Sequence, residues 1–287
     1  MRPLSRPAVL ATTALVMVAF AANSVLARLA LATTETGAAT FTAVRLGAGA
    51  LVLLAVVAAR TRGGPFASRG GGWGSALALF AYAAAFSFAY LSLPTGTGAL
   101  LLFGAVQLTM IGWGVAHGEK LGLVRGAGAL LAMAGLVVLV APGVEAPPLG
   151  AALLMALSGA AWGAYSLRGR GATDPIAAST GNFWRAALLG LGLVAGVAAW
   201  PSLALRTDAS GLGYALLSGA VTSGLGYVLW YRVLPSLRAA SAATVQLSVP
   251  VLAALGGVAF VGEAVTLRLA VATVATLGGI ALVVRGR

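Results

Sequence analysis

The side chains that could do chemistry in this sequence are few and mostly neutral. The chain has no cysteine and a single histidine, His117. These counts exclude disulfides, thiolate catalysis and cysteine-based zinc or iron–sulfur sites, and leave one imidazole for any metal. The formal charge is +12, but the basic residues punctuate long apolar runs and form no polar face. We therefore expect no metal, no cofactor and no nucleic-acid partner.

Neutral polar and aromatic side chains inside the apolar runs are the stronger candidates for a binding site. A pocket for a small organic molecule combines apolar walls with a few polar groups. The mid-run residues of these types are Asn23, Tyr82, Phe86, Trp162, Tyr165, Tyr227 and Gln246. For each ring the alternative is helix packing or an interfacial belt, and for the two amides it is a hydrogen bond between helices.

Two arginines and two glutamates are the charged residues of interest. Arg45 and Arg185 lie well inside apolar runs, where an arginine costs about 2.5 to 3.5 kcal/mol to insert. Each is either an anchor for an anion or carboxylate, or a scaffold residue that caps carbonyl groups or reaches the interface. Glu119 and Glu263 each end an apolar run, where capping or a salt bridge is the simpler role and ion coupling the alternative.

No aspartate or glutamate lies deep in an apolar run. Carriers that couple to protons or sodium commonly use an intramembrane carboxylate, which would also neutralise a cationic drug. We therefore expect a neutral or zwitterionic substrate and weak dependence on a proton gradient.

The elements that must position these residues are membrane-spanning helices. Hydrophobic residues make up 60% of the 287 residues and charged residues 8%, which is typical of an integral membrane protein. A span needs roughly 20 apolar residues. Ten such runs cover residues 8–30, 37–59, 73–92, 96–117, 122–141, 149–167, 175–199, 210–231, 240–261 and 266–284. The sequence thus predicts an all-α integral membrane protein of about ten transmembrane helices.

The basic residues test this count, because lysine and arginine stay on the cytoplasmic side. One side receives Arg2, Arg6, Arg60, Arg62, Arg69, Lys120, Arg125, Arg168, Arg170, Arg232, Arg238, Arg285 and Arg287. The other receives Arg206 and Arg268 with four acidic residues. Both termini are therefore predicted to be cytoplasmic, in a multi-pass protein of a bacterial-type cytoplasmic (inner) membrane. The alternative for the first run, a cleaved signal peptide, would leave nine spans.

The two halves of the chain echo each other. Matching positions are Ala99, Leu108, Gly112, Gly118 and Glu119 with Ala243, Leu252, Gly256, Gly262 and Glu263; Tyr90, Leu93 and Pro94 with Tyr231, Leu234 and Pro235; Thr40 and Arg45 with Thr180 and Arg185; and Gly135 with Gly279. Five helices per half place equivalent loops on opposite sides of the membrane. We predict two inverted five-helix repeats, residues 1–144 and 145–287, an arrangement typical of secondary transporters.

The sequence resembles the drug/metabolite transporter superfamily, and specifically its EamA-like ten-helix branch of amino-acid and metabolite exporters, aromatic amino acid exporters included. The resemblance rests on Gly118-Glu119, Gly262-Glu263, Pro250, Arg45 and Trp162-Gly163. The chain departs from the family where Val106-Gln107 replaces the usual proline and where Ala21-Ala22 replaces a Trp-Gly pair. The resemblance implies that the second helix lies off the central pore.

Pro250 and pairs of small residues can control how the helices bend and pack. Pro250 lies in the middle of the ninth span, removes a backbone donor there, and can serve as a gating hinge or a static kink. Glycines at four-residue spacing let helices approach closely. The pairs are Gly114 and Gly118, Gly122 and Gly126, Gly159 and Gly163, and Gly192 and Gly196.

Together these features predict a non-enzymatic secondary transporter. We expect it to export small neutral or zwitterionic metabolites, amino acids and aromatic ones in particular, by alternating access. Its partners would be a small-molecule substrate and the lipid bilayer, with a monomer as the working assumption. The alternatives are a nucleotide-sugar or other metabolite carrier, a passive channel, and an intramembrane enzyme, for which no convergent acid, base or metal set is evident.

Overall fold

The computed structural model describes residues 5–60, 70–119, 122–143, 145–170, 172–199, 205–237 and 239–285. All regular structure within these ranges is helical, as predicted. Six basic residues of the predicted charge pattern lie outside them: Arg2, Arg62, Arg69, Lys120, Arg238 and Arg287.

The helices follow one another with short connections. Their bounds are α1 Arg6–Thr33, α2 Ala38–Arg60, α3 Trp73–Ala89, α4 Thr95–Ala116, α5 Leu123–Val140, α6 Leu149–Arg168, α7 Pro175–Ala198, α8 Ala209–Leu217, α9 Gly226–Val233, α10 Ala239–Gln246, α11 Ser248–Gly256 and α12 Leu267–Arg285. A π-helical segment, Ser218–Leu225, joins α8 to α9, and a second, Gly257–Val261, extends α11.

Capping residues fix several of these ends. Asp174 precedes α7 and accepts hydrogen bonds from the backbone N–H groups of Ile176 and Ala177, which otherwise lack intrahelical partners. At the far ends of α4 and the second π-helical segment, Gly118 and Gly262 have φ of +91° and +76°. This left-handed conformation favours glycine and stops the helix.

The predicted ten spans are largely confirmed. Within the described residues, nine helical segments are long and apolar enough to cross a membrane, and α3 is a shorter apolar helix of 17 residues. The eighth and ninth predicted spans are not continuous α-helices, because the first contains the π-helical segment 218–225 and the second breaks at Leu247. The inverted relation of the halves and the sidedness of the termini remain predictions.

Close packing of helix pairs builds the bundle. The main pairs are α5 with α12, α3 with α6, α2 with α7 and α4 with α6, while α1 packs against α8, α9 and α11. Two glycines let the backbones of α5 and α12 touch: a Cβ on Gly128 would lie 2.6 Å from the Gly279 carbonyl oxygen.

The glycine pairs of the sequence divide into two kinds. A Cβ on Gly159 would lie 2.5 Å from the Leu102 carbonyl oxygen, and one on Gly163 would lie 3.0 Å from Thr109, so this pair lets α6 lie directly against α4. Gly192 and Gly196, in contrast, have no atoms within 4 Å of such a Cβ. Gly122 and Gly126 also have no such neighbours, so among the described residues neither pair makes the close helix contact that was predicted. In the remaining pair, a Cβ on Gly114 would meet Glu119 just beyond the same helix, and Gly118 has no described atom nearby.

Candidate functional site

A cavity of about 610 Å³ penetrates the bundle from one end. The size is in the range for pockets that hold small organic molecules. Described residues of α1, α4, α5, α6, α7, α9, α10 and α12 line it, and its charged lining residues are Glu119, Arg125 and Arg170. These three residues mark the open end of the cavity, which we call the mouth end. The residues that line the cavity deeper in the bundle are uncharged.

A cluster of aromatic rings lies at the deep end of this cavity. Phe20, Trp162, Tyr165 and Tyr227 line it, and Tyr82 joins the cluster from behind Trp162. Trp162 is the centre of the cluster, with ring centroids 4.9 Å from Tyr82, 5.3 Å from Tyr165 and 5.4 Å from Tyr227. Phe20 packs edge-on against Tyr227 at 6.1 Å. The structure thus brings together four of the five rings predicted from the sequence. A polarizable, uncharged surface of this kind accommodates apolar or aromatic groups.

The fifth ring, Phe86, lies elsewhere. It is fully buried behind Tyr82, with centroids 5.6 Å apart, and also packs against Tyr90 at 4.7 Å. It does not line the described cavities. Phe86 was predicted to line the pore. The structure places it one turn further along the same face of α3 as Tyr82, where Tyr90 and the Arg45 guanidinium cover its ring.

A smaller inner cavity of about 40 Å³ continues beyond the ring cluster. Asn23, Ser24, Tyr82 and Thr222 contribute polar groups to it, and Phe20, Trp162, Tyr227 and Gln246 line both cavities. Its volume is close to that of one or two water molecules. It has room for a small polar group and not for a whole metabolite.

Asn23 organises the polar wall of the inner cavity. Its Oδ1 accepts hydrogen bonds from the hydroxyls of Ser218 at 2.6 Å and Thr222 at 3.2 Å. Its Nδ2 donates to the Tyr82 hydroxyl at 3.4 Å. Both donors lie in the π-helical segment 218–225, and such segments occur frequently at functional sites. The buried amide therefore has protein partners on both sides.

Pro250 and Gln246 lie on either side of a helix break, and Gln246 lines both cavities. A proline cannot donate to the carbonyl four residues earlier, which here belongs to Gln246. The helix breaks between the two residues, at Leu247, where the Leu247 N–H bonds to the Thr244 carbonyl at 3.1 Å. The helix is thus interrupted beside Pro250, and the roles of Pro250 as a static kink or a gating hinge remain proposals.

Arg45 and Arg185, which match in sequence, have different surroundings. Arg185 donates to the carbonyls of Gly181 at 2.7 Å and Gly70 at 3.3 Å and does not line the described cavities. This is the capping arrangement. Arg45 is 2% exposed, and its Nη2 donates to the Tyr82 hydroxyl at 2.7 Å. Its guanidinium carbon lies 4.6 Å from the Phe86 ring centroid, a distance typical of a cation–π contact.

The opposite end of the bundle, which we call the closed end, is held by a partly buried ion pair. Arg28 Nε lies 3.0 Å from Glu263 Oε1, with side chains 18% and 15% exposed. Arg28 also donates to the carbonyl of Tyr90 at 3.0 Å, and Glu263 Oε2 accepts from the Thr95 backbone N–H at 2.7 Å. Two charged side chains therefore tie α1, the α3–α4 turn and the end of α11 together.

Exposed loops at the closed end carry a second charged cluster. Arg206 and Glu35 pair at 3.2 Å with side chains 71% and 69% exposed. Asp208 accepts from the N–H groups of Gly211 and Glu35, and these hydrogen bonds lower the pKa of its carboxyl below the ordinary value. The stabilisation from Asp208 is therefore present above its unfolded-state pKa and is lost as the pH falls through the lower folded value.

Glu119 lies at the mouth end, opposite to Glu263. Its carboxylate is 58% exposed and lies 3.5 Å from Arg125 Nη2. Exposed pairs of this kind contribute little to stability. The structure shows the salt bridge to Arg125, and the role of Glu119 as a structural or a coupling residue remains a prediction.

Comparison with known proteins assigns the family. Residues 149–285 match the model of the EamA-like transporter family. An uncharacterized protein of Pseudomonas aeruginosa, PA1977, is 54% identical over 251 residues, which are 88% of this chain and 85% of that protein. The chain belongs to the EamA-like transporter family. It is therefore a multi-pass membrane protein of a transporter family, as the ten apolar runs predicted.

A solved structure supports the fold of this EamA-like transporter. One protein crystal structure matches it with a TM-score of 0.64 over 95% of this chain and 98% of its own, at 24% sequence identity. This likeness shows the shared fold. The substrate branch expected from the sequence, amino-acid export, stays a prediction.

Sequence reasoning missed several residues of the site. Phe20, Ser218 and Arg28 carried weak signals, because phenylalanine and serine are common in apolar helices and Arg28 lies near the end of a span. The sequence predicted Arg206 and Arg268, but not Arg28, on the side opposite to the cytoplasm. The structure adds Arg28 to that side, at the closed end of the bundle, where it pairs with Glu263. The i, i+4 spacing of Ser218 and Thr222 is the signal that could have found the hydroxyl pair.

Proposed function

We propose that this protein is a secondary carrier that exports small neutral or zwitterionic metabolites, amino acids with aromatic side chains first among them. One observation carries the proposal: a cavity of about 610 Å³, open at one end, has a deep wall of uncharged rings centred on Trp162. The opposite end is closed by Arg28 and Glu263. A cavity open to one side only is what a carrier presents in one of its two states.

The mouth end is the cytoplasmic end in this proposal. Four arginines that are predicted to face the cytoplasm lie at or near this end. Arg125 and Arg170 line the cavity, Arg60 pairs with Asp174 at the start of α7, and Arg168 ends α6. Substrate would enter from inside the cell, which fits export. The positive-inside rule supports this orientation.

Alternation between two states is proposed to follow from the inverted halves 1–144 and 145–287. Matching local structures at the two ends support the idea. Glu119 lies beside Gly114, where an added Cβ would be 2.8 Å from its carboxylate, and Glu263 lies beside Gly257 at 2.6 Å. Each glutamate follows a left-handed glycine that ends its helix. Similar elements in the two halves can exchange conformations and so move the opening from one end to the other.

Counterflow tests the proposal. Liposomes containing the purified protein are preloaded with unlabelled phenylalanine, tryptophan, methionine or threonine and given trace labelled substrate without an ion gradient. We expect transient accumulation of label, which requires a site that returns loaded and which a passive channel cannot produce.

Two tryptophan variants make the test specific to the cavity. Trp162→Ala removes the centre of the ring cluster and is expected to reduce the counterflow rate by about tenfold or more, a loss typical of a buried aromatic anchor. Trp73→Ala is the matched control, because Trp73 is 56% exposed on the bundle surface beside Trp184. Equal losses in both variants, or no accumulation by folded wild-type protein with any amino acid, would contradict the proposal.

A further inference from the structure

The guanidinium of Arg45 is a buried positive charge with no acidic partner among the described residues. The ion pairs there join Arg28 to Glu263, Arg60 to Asp174, Arg125 to Glu119 and Arg206 to Glu35. Arg45 is 2% exposed, and its buried Nη1 has no hydrogen-bond partner. The two rings beside it, Tyr82 and Phe86, compensate the charge in part.

Arg45 acts on the cavity through Tyr82. The inner cavity is lined by Tyr82 but not by Arg45, so the phenol stands between the charge and the cavity. The Tyr82 hydroxyl oxygen accepts from Arg45 Nη2 at 2.7 Å and lies 3.4 Å from Asn23 Nδ2.

Lone-pair accounting fixes the direction of the Tyr82 proton. A phenolic oxygen can accept hydrogen bonds and donate one. With Arg45 and Asn23 both donating to it, its acceptor capacity is used and its own proton remains. Asn23 keeps its Nδ2 on this side because its Oδ1 is occupied by the Ser218 and Thr222 hydroxyls. No described group accepts the Tyr82 proton, and Tyr82 lines the inner cavity, which leaves a ligand there as the available acceptor.

We propose that the Tyr82 hydroxyl donates to the carboxylate of the transported substrate, and that Arg45 is the positioning residue that orients the phenol and supplies the balancing charge. The inference rests on the proposed function and names the substrate class more closely: a small carboxylate-bearing molecule with an apolar or aromatic remainder. The carboxylate enters the inner cavity of about 40 Å³, and the remainder lies against Trp162 and Tyr227 in the cavity of about 610 Å³.

The two cavities select for a carboxylate head. The inner space has the size of a small group. Among its polar lining residues, Tyr82 is the one whose hydroxyl is backed by a positive charge, that of Arg45, which matches one negative charge. A hydrogen bond to an ionised acceptor is stronger than one between neutral groups. A substrate without the carboxylate would leave the Arg45 charge uncompensated.

A pair of near-isosteric ligands tests the inference on the full-length protein. Isothermal titration calorimetry gives the dissociation constants of L-phenylalanine and L-phenylalaninamide, which differ in the carboxylate. Wild-type protein is expected to bind the carboxylate about tenfold or more tightly, the factor typical of a hydrogen bond to a charged group. Tyr82→Phe should largely abolish this preference, because it weakens binding of the carboxylate more than binding of the amide, whose carbonyl accepts the same hydrogen bond without the charge.

Variants of the two arginines separate positioning from general scaffolding. Arg45→Gln should reduce the preference as Tyr82→Phe does, and Arg45→Lys should restore part of it. Arg185→Gln removes the sequence-equivalent arginine, which caps carbonyls away from the cavities, and should leave the preference unchanged. Tyr214→Phe, on α8, is the matched control for loss of a phenol.

The outcomes are distinct. If wild-type protein shows counterflow but binds both ligands equally, or if Tyr82→Phe weakens both equally, the carboxylate inference is wrong while the carrier proposal stands. If wild-type protein shows no counterflow with any amino acid, the carrier proposal fails and the inference with it. Should Arg45→Gln not fold, Tyr82→Phe and Arg45→Lys still decide the question.

Discussion

At the scale of single residues, Asn23 is the polar group on which the inner cavity depends. It connects α1 to the π-helical segment 218–225 and to Tyr82 through three hydrogen bonds. Removing one partner of a buried hydrogen bond leaves the other unsatisfied. We therefore expect Asn23→Ala to lower the free energy of unfolding by about 1 to 2 kcal/mol, given that single interhelical bonds in membranes average about 0.6. Thermal unfolding in detergent measures it.

Thr13 provides the contrasting substitution for Asn23→Ala. Thr13 lies on the same helix, α1, and its buried hydroxyl has no hydrogen-bond partner among the described residues. Thr13→Val replaces an unsatisfied polar group by an apolar one of similar shape and should be neutral or stabilising. If Asn23→Ala were as harmless as Thr13→Val, the network would not hold the site together.

The sequence predicted much of the site at this scale and could not predict its connections. Tryptophan, tyrosine and amide side chains are rare inside apolar runs, so Trp162, Tyr165 and Gln246 stood out, and the structure places them around one cavity. The difference between Arg45 and Arg185 was not predictable, because both have the same spacing in their halves. Only the neighbouring helix decides whether the guanidinium meets a phenol or a carbonyl.

At the scale of helices, close contact between α4 and α6 positions Trp162. A Cβ at Gly159 would lie 2.5 Å from the Leu102 carbonyl oxygen and 2.7 Å from the Ala105 Cβ. Gly159→Ala should therefore force the helices apart and cost about 1 to 3 kcal/mol, as overpacking typically does.

Gly192 is the matched control on a neighbouring helix. No atom lies within 4 Å of a Cβ there, and alanine is the better helix former by about 1 kcal/mol. Gly192→Ala should therefore be neutral or stabilising in the same unfolding measurement. If Gly159→Ala were as harmless as Gly192→Ala, α4 and α6 would not be in direct contact at Gly159.

Helix existence was predictable and helix continuity was not. Hydropathy alone located the runs that became α1 to α12, because each must bury its backbone in lipid. Pro250 marked the break at Leu247 in advance. The π-helical segment 218–225 has no such marker in the sequence. Its glycines Gly219 and Gly224 pack closely against α2, a tertiary contact that the local sequence does not reveal.

At the scale of the whole molecule, two ion pairs at the closed end differ in burial and should differ in effect. Arg28–Glu263 is more than 80% buried and joins three elements, whereas Arg206–Glu35 is about 70% exposed. We expect Glu263→Gln to weaken closure and shift the protein toward the state that opens there. Glu35→Gln should do neither, because exposed pairs are worth about 0 to 1 kcal/mol.

Single cysteines measure that shift, and the chain has none of its own. Ser166→Cys reports the mouth-end cavity, which Ser166 lines. Thr95→Cys reports the closed end, where Thr95 is fully buried. Its hydroxyl makes no hydrogen bond to a described residue, so the substitution breaks none. In the Glu263→Gln background, a membrane-impermeant maleimide should label Thr95→Cys faster and Ser166→Cys more slowly. Unchanged rates would mean that the ion pair does not set the equilibrium.

The same two cysteine variants test most directly whether the protein alternates between a state open at the mouth end and a state open at the closed end. Here each cysteine is placed in the otherwise unaltered protein, and labelling is measured with and without substrate. Without substrate, maleimide should label Ser166→Cys from the mouth end and leave Thr95→Cys protected, as the structure shows them. Adding an amino acid that gives counterflow should slow labelling of Ser166→Cys and speed labelling of Thr95→Cys from the opposite side, in the same proportion. Simultaneous acceleration at both positions would indicate a channel, and no response at either position would contradict alternating access in this protein.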